Sequence, residues 1–259
     1  MVQRRRPRRA PSSLSDGVVS LLIAYDGTRY AGWQRQRQAP TVQATVEAAL
    51  QQLTGRRITT TVAGRTDAGV HAWGQVAHAR LPVTWRAGAL QRALNAILPL
   101  DILVRRVARE GDTFHARFQA VRKQYRYRIV AGPLRPLFER ACAHYVPVPL
   151  DLAAMQRAAT AWRGRHEFAA FHSSGRPMTS TRRTVYDLQV ARRGGEIHVD
   201  IEADGFLYHM VRRMVGVLLE IGKGRWPVSV ARAMLHPHPP VVAPTAPAKG
   251  LCLMRVVYG

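Results

Sequence analysis

Two periods of apolar and polar positions run along this chain. "VVSLLIAYDG" (Val18 to Gly27) is an apolar strand-type run closed by an Asp-Gly turn signal. Behind it, "TVQATVEAALQQL" sets Val42, Val46, Ala49, Leu50 and Leu53 on one helical face. Two short strand-like runs follow, "RITTTVAG" and "GQVAHARL". A second helix, "AGALQRALNAIL", has Leu90, Leu94, Ile97 and Leu98 in phase and is stopped by Pro99, after which "DILVRRVA" reads as a strand. The order is β-α-β-β-α-β, the split βαβ unit of ferredoxin-like folds. The pattern then repeats, with strands at "KQYRYRIV", "RRTVYDLQVAR", "EIHVDIEA" and "GLCLMRVVY" and helices at "LDLAAMQRAATAWRG" and "YHMVRRMVGVLLEIG". An extra strand near Ala141 to Val146 and a short helix near Val228 to Leu235 decorate it, and "HPHPPVVAPTAPAKG" is a Pro-rich loop. The expected fold class is α+β: two ferredoxin-like halves, 17–112 and 113–259, sharing one mostly antiparallel sheet. Residues 1–16 lack periodicity and read as a disordered basic arm.

The helix near residue 210 is apolar around more than half its circumference. At about 100° per residue, Met210, Met214, Val217, Leu218 and Ile221 form one stripe, and Val211, Val215 and Leu219 widen it. Arg212 sits at the edge of that arc, whereas His209, Arg213 and Glu220 take the polar positions. A buried guanidinium there needs a carboxylate or phosphate partner. The other solution is that Arg212 snorkels to solvent, and the pattern alone leaves both open.

Composition narrows the class. With 47% hydrophobic residues among 259, the chain can build a sizeable core, which excludes bulk disorder. No apolar run approaches the roughly 18 residues of a membrane-spanning helix. The arginines of the arm have no apolar segment behind them, so the N-terminus is not a secretory signal. Cys142 and Cys252 are far apart and support neither a disulfide framework nor a cysteine-based zinc site. A reduced, cytoplasmic protein is expected. The net charge is +23, from 39 Lys+Arg against 16 Asp+Glu. Lysine occurs only at Lys123, Lys223 and Lys249, so codon bias has a hand in the arginine count, but it does not explain the scarcity of acids. The imbalance favours a polyanionic partner, nucleic acid first, over a merely basic surface.

Candidate chemistry lies in four stretches. In "AGRTDAGVHA", Arg65 and Asp67 are two apart and point the same way in an extended segment. An Asp before Ala-Gly is an ordinary turn former. Its company, Arg65, Thr66, Gly69 and His71 in a polar loop between strands, favours function. "YDGTRYAGWQRQ" mixes aromatics with arginines, as suits base stacking and phosphate contacts; the plainer reading is a solvated loop anchored by Trp33. "FHARFQAVRKQYRYRI" puts Tyr125 and Tyr127 on one side of a strand and Arg126 and Arg128 on the other, as an amphipathic edge strand also would. "AFHSSGRPMTSTRRT" reads as an RNA-facing insertion. His71 and His78 lack the cysteine or HExxH company of a metal site, and no phosphate-loop or dinucleotide motif occurs. What survives is a carboxylate acting without metal or cofactor on something anionic.

In order and spacing, "YDGTRYAGWQRQ", "AGRTDAGVHAWGQVAH", "FHARFQAVRKQYRYRI" and "FLYHMVRRMVG" resemble the motifs of the TruA-type tRNA pseudouridine synthases, a likeness running from about Val18 to Tyr258. The resemblance implies a positively charged central cleft between the two halves. It implies a homodimer in which one tRNA contacts both subunits. The implied activity is cofactor-free isomerisation of uridine to pseudouridine at positions 38, 39 and 40 of the tRNA anticodon stem-loop. It makes Asp67 the nucleophile, Tyr125 the tyrosine that packs on the target base, and Arg212 the basic residue that ion-pairs with the nucleophile. Arg65 becomes an RNA contact that helps hold the flipped nucleotide, and Tyr127 is structural. The arm and the stretch from Ser173 to Ser180 receive no role from it. Two other classes compete. One is a non-catalytic RNA-binding protein on the same scaffold, against which an acid inside a basic cleft argues. The other is a metal-dependent nuclease, which a chelator would expose.

Overall fold

Sheet topology follows from how one strand edge is shared. The computed structural model describes residues 16–82, 85–173 and 180–259. Apart from Asp16, the expected arm lies outside the described residues, as does 174–179 of the expected insertion. Among the described residues the chain runs β1 (Asp16–Tyr25), α1 (Val42–Thr54), β2 (Thr61–Val62), β3 (His71–Pro82), α2 (Ala87–Ile97) and β4 (Ile102–Arg109). There follow β5 (Ala120–Ala131), β6 (His144–Val146), α3 (Leu152–Thr160), β7 (Gly164–Glu167), β8 (Arg182–Arg193), β9 (Glu196–Ala203), α4 (Met210–Gly222), α5 (Ser229–Ala233) and β10 (Leu251–Tyr258). The main path of the sheet is β4-β1-β3-β10-β5-β9-β8-β7, with β2 on β3 and β6 on β5. Taken by halves this is β4-β1-β3-β2 and then β10-β5-β9-β8, the same split βαβ order twice. Pairing is antiparallel except for β10 on β3 and β6 on β5.

The seam explains the shortness of β2. Beside β3, β2 pairs with His78 and Ala77, while β10 pairs with His71 and Ala72. The two strands divide one edge. The "RITTTVAG" run, expected as a short strand, therefore forms a ladder only at Thr61 and Val62, extended by the Ala63 N–H donating to the Val76 carbonyl at 2.8 Å. Side chains of α1 satisfy the backbone just before it: Thr60 N–H donates to Glu47 Oε1 at 2.7 Å, and Gln43 Nε2 donates to the Thr60 carbonyl at 3.1 Å. A second expectation also shifts. The helix read through to Gly164 ends at Thr160, because Trp162 drops into the core and donates its indole N–H to Ala231 at 2.7 Å. Gly164, at φ 96°, then turns the chain into β7.

Core and caps match the periodicity. Leu21, Leu50, Leu94, Ile129 and Ile201 are buried, each contributing about 1.5–3 kcal/mol. Thr41 caps α1 through the Ala44 N–H, and Gly55, at φ 68°, closes its far end. On β5, Tyr125 and Tyr127 face this core, while Arg126 and Arg128 point the opposite way and pair with Asp200 and Glu196 of β9. No helix among the described residues is long and apolar enough to cross a membrane.

Two core-side histidines make stability depend on pH. His78 is held below its ordinary pKa of 6.5 by burial, then by His115 and Arg80. Burial, then Lys249 and Lys223, lowers His144 likewise. The unfolded chain therefore takes up protons that the folded chain refuses as pH falls past about 6.5, so protonation favours unfolding. Protonating His78 would also remove the Nδ1 lone pair that accepts the Ala116 N–H at 3.1 Å. We expect the thermal midpoint to fall between about pH 7.5 and pH 5.5. The slope should flatten in a His78→Gln, His144→Gln double variant. An unchanged slope in that variant would assign the effect elsewhere.

Candidate active site

Asp67 owes its place to residues that are themselves fixed. Thr66 is buried, and its Oγ1 shares a 2.7 Å hydrogen bond with the Tyr25 hydroxyl. The Thr66 carbonyl accepts from Trp33 N–H at 3.1 Å, and Gly69 N–H donates to the Tyr30 carbonyl at 3.2 Å. Gly32 is required at this seam: its φ is +94°, and a Cβ there would lie 2.5 Å from the Thr66 oxygen. His71 ties the loop's far end to other segments. Its Nδ1 accepts the Gly27 N–H at 3.1 Å, and Nε2 meets the carbonyls of Ala141 and Lys249 at 3.1 and 3.2 Å. With Thr66 turned inward, Arg65 and Asp67 both face the cleft, as their spacing predicts.

The cleft has a volume of about 910 Å³. Arg65, Arg117, Lys123 and Arg212 line it, and among its described lining residues Asp67 is the one carboxylate. Arg212 Nη1 lies 3.2 Å from Asp67 Oδ2, and Arg212 Nε donates to the Ala246 carbonyl at 2.8 Å. The guanidinium at the edge of the apolar arc has found a carboxylate rather than solvent. Tyr125 lines the same wall and meets Phe206 edge-on at 5.1 Å. Burial, then the proximity of Tyr25 and Asp67, pushes its phenol far above the usual tyrosine range, so it stays protonated. Lys123 is held below its ordinary value by burial and by Arg117 and Arg183. Thus Asp67, Tyr125, Arg65 and Arg212 share one site. Tyr127 is apart from it, its hydroxyl donating to Pro247 at 2.8 Å in the core.

One expectation fails and one residue is new. In "YDGTRYAGWQRQ", Tyr25, Tyr30 and Trp33 are buried and, unlike Tyr125, none of them lines the cleft, so they are not placed to stack on bases there. Arg29 pairs with Asp101 and Arg35 with Glu47. The plainer reading, a loop anchored by Trp33, is correct, and only Ala31, Gln34 and Gln36 of that stretch reach the cleft. The new residue is His209, whose Nε2 lies 3.4 Å from Asp67 Oδ2. Helical phase had placed it among the polar positions of α4. Instead it precedes the helix with φ 63°, a left-handed backbone that costs about 1–2 kcal/mol outside glycine. Its signal in the sequence was its place just ahead of the helix that carries Arg212, behind an aromatic residue. Among the described residues no cluster of His, Cys, Asp or Glu is placed to hold a metal ion.

Comparison with known proteins gives the family. The family model described as tRNA pseudouridine synthase matches residues 21–119 and 158–259. The chain is 46% identical to tRNA pseudouridine synthase A of Moorella thermoacetica, covering 93% of this chain and 99% of that one. It is 44% identical to the protein of the same name from Syntrophotalea carbinolica, over 93% of this chain and 96% of the relative. For Chlamydia abortus the figures are 41%, 93% and 91%. The chain belongs to the tRNA pseudouridine synthase family.

Proposed function

We propose that this protein isomerises uridine to pseudouridine in tRNA, at positions 38, 39 and 40 of the anticodon stem-loop, as a cytoplasmic homodimer and without metal or cofactor. The observation that carries the reading is the lone carboxylate of Asp67 in a cleft lined by Arg65, Arg117, Lys123 and Arg212. A protein that only bound RNA would gain nothing from an anion there. In the reaction the C1′–N1 bond breaks, the uracil turns, and C5 bonds to C1′. C5 then loses its proton, and N1 ends protonated. The target base must first leave the stack. Tyr125 offers an aromatic surface that offsets part of that loss, and burial keeps its phenol protonated. Arg65, exposed at the rim, holds the everted nucleotide. A carboxylate beside C1′ bonds to the sugar or stabilises positive charge on it.

The test is tritium release from an anticodon stem-loop labelled at uracil C5. Release that persists with a chelator supports the reading. Binding without release would return the chain to the RNA-binding class, and chelator-sensitive strand cleavage would make it a nuclease. Arg212→Ala should lower kcat on the order of 10²-fold by freeing the carboxylate, with tRNA affinity changed less than rate. Equal losses in both would move Arg212 from holding Asp67 to gripping RNA. Deleting residues 1–15 removes the arginines at 4–6, 8 and 9. It should make the salt dependence of tRNA affinity shallower, by up to about 0.9 in log–log slope for each phosphate that the arm neutralises. An unchanged slope would show the arm idle.

A further inference from the structure

Both partners of the Asp67 carboxylate meet the same oxygen. Arg212 Nη1 is 3.2 Å from Oδ2, and His209 Nε2 is 3.4 Å from that same atom. Among the described residues no donor meets Oδ1. The carboxylate therefore has one pinned oxygen and one left for the cleft.

His209 is itself braced. Its ring stacks on Tyr208, with centroids 3.8 Å apart and planes 27° apart. Its Nδ1 lies 2.9 Å from Ser173 Oγ, and Ser173 N–H donates to the Tyr208 carbonyl at 3.1 Å. A residue opening a helix ordinarily has extended backbone and caps with its side chain. His209 does neither: among the described residues it is the one non-glycine with left-handed φ, and its side chain makes no cap. The ring is committed to Ser173 and Asp67 instead. Burial, then Arg212 and Arg213, hold its pKa below 6.5 against the opposing pull of Asp67. A neutral ring in a single tautomer suits both neighbours, with Nδ1 accepting from Ser173 Oγ and the Nε2–H edge packed 3.4 Å from Oδ2.

We propose that His209 is a positioning residue for the uridine isomerisation: with Arg212 it fixes Oδ2 and so presents Oδ1 to the sugar carbon of the everted nucleotide. Arg212 alone is a single tether about which the carboxylate can swing. A second tether on the same oxygen, arriving from the residue before α4, removes that freedom. The inference rests on Asp67 being the reacting group.

The test compares His209→Gly, His209→Ala and His209→Asn for kcat and KM in tritium release and for thermal midpoint, with Asp67→Asn in parallel. Glycine suits the left-handed backbone, so His209→Gly should melt no lower than His209→Ala while losing kcat on the order of 10²-fold, with KM within about threefold. His209→Asn tolerates the same backbone and keeps an N–H donor, so it should recover part of kcat. A His209→Gly enzyme with wild-type kcat overturns the inference, as does a loss confined to KM or one that tracks the thermal midpoint across the three variants. If Asp67→Asn is dead while His209→Gly is fully active, only this inference falls. If Asp67→Asn turns over normally, the nucleophile reading falls and takes the inference with it.

Discussion

Asp67→Asn should reduce tritium release from C5-labelled tRNA by roughly 10⁴-fold or more while tRNA affinity stays within about threefold. The two halves of that expectation have different physical origins. Rate falls because the amide has the carboxylate's shape but neither its charge nor its nucleophilicity, and no other described carboxylate lines the cleft to substitute for it. Affinity persists because Arg65, Arg117 and Lys123 still line the cleft and remain available to a polyanion. Removing an anion from among them does not weaken attraction to a polyanion. The substitution is also mild on the fold, since the amide oxygen can accept from Arg212 as the carboxylate does at 3.2 Å. Thermal melts should therefore show a small change beside a near-total loss of turnover. Full activity in this variant would remove Asp67 from the chemistry.

Gly216→Ala should be the most damaging small change away from the reacting atoms. Gly216 lies inside α4, where alanine is favoured over glycine by about 1 kcal/mol on propensity alone. Packing opposes it. A Cβ at 216 would sit 1.9 Å from the Pro244 carbonyl oxygen and 2.7 Å from its carbon. Backbone cannot step aside as a flexible side chain would, and overpacking of this kind costs about 1–3 kcal/mol or more. We expect sterics to win, lowering the thermal midpoint by roughly 5 °C. Activity should fall as well, for a connected reason. The segment that must yield includes Ala246, whose carbonyl accepts from Arg212 Nε at 2.8 Å and whose N–H donates to the Arg212 carbonyl at 3.1 Å. Displacing it loosens the guanidinium that holds Asp67. A midpoint equal to or above that of the unmodified protein would mean the loop gives way without cost.

These two sites also show what sequence can and cannot carry. Strands and helices with clean periods were legible nearly to the residue: "EIHVDIEA" is β9 throughout. The pairing of Arg212 was legible only as one of two solutions, because a guanidinium at the edge of an apolar arc either finds an anion or snorkels to solvent, and the arc could not choose. What escaped was decided by contacts distant in sequence. Whether Tyr25, Tyr30 and Trp33 stack on bases or on the core depends on the Asp67 loop folding over them, and aromatic residues look alike in either setting. The length of β2 depends on β10 taking the start of the same β3 edge, at His71 and Ala72, some 180 residues later in the chain. His209 escaped because a left-handed residue falls out of the helical phase used to place it.

The position of β10 has a consequence for how the protein is made. Leu251–Tyr258 follow every other strand in sequence, yet they lie at the centre of the sheet, between β3 and β5. During synthesis each half can form its own hairpins, but no strand bridges the backbone ladders of β3 and β5 until this stretch has left the ribosome. In a prematurely terminated product the Asp67–Arg212 bridge, whose partners lie on opposite sides of that seam, would depend on side-chain contacts such as His71 with the Ala141 carbonyl. Such fragments would carry basic surface without the completed sheet that holds the two walls of the Asp67 cleft together.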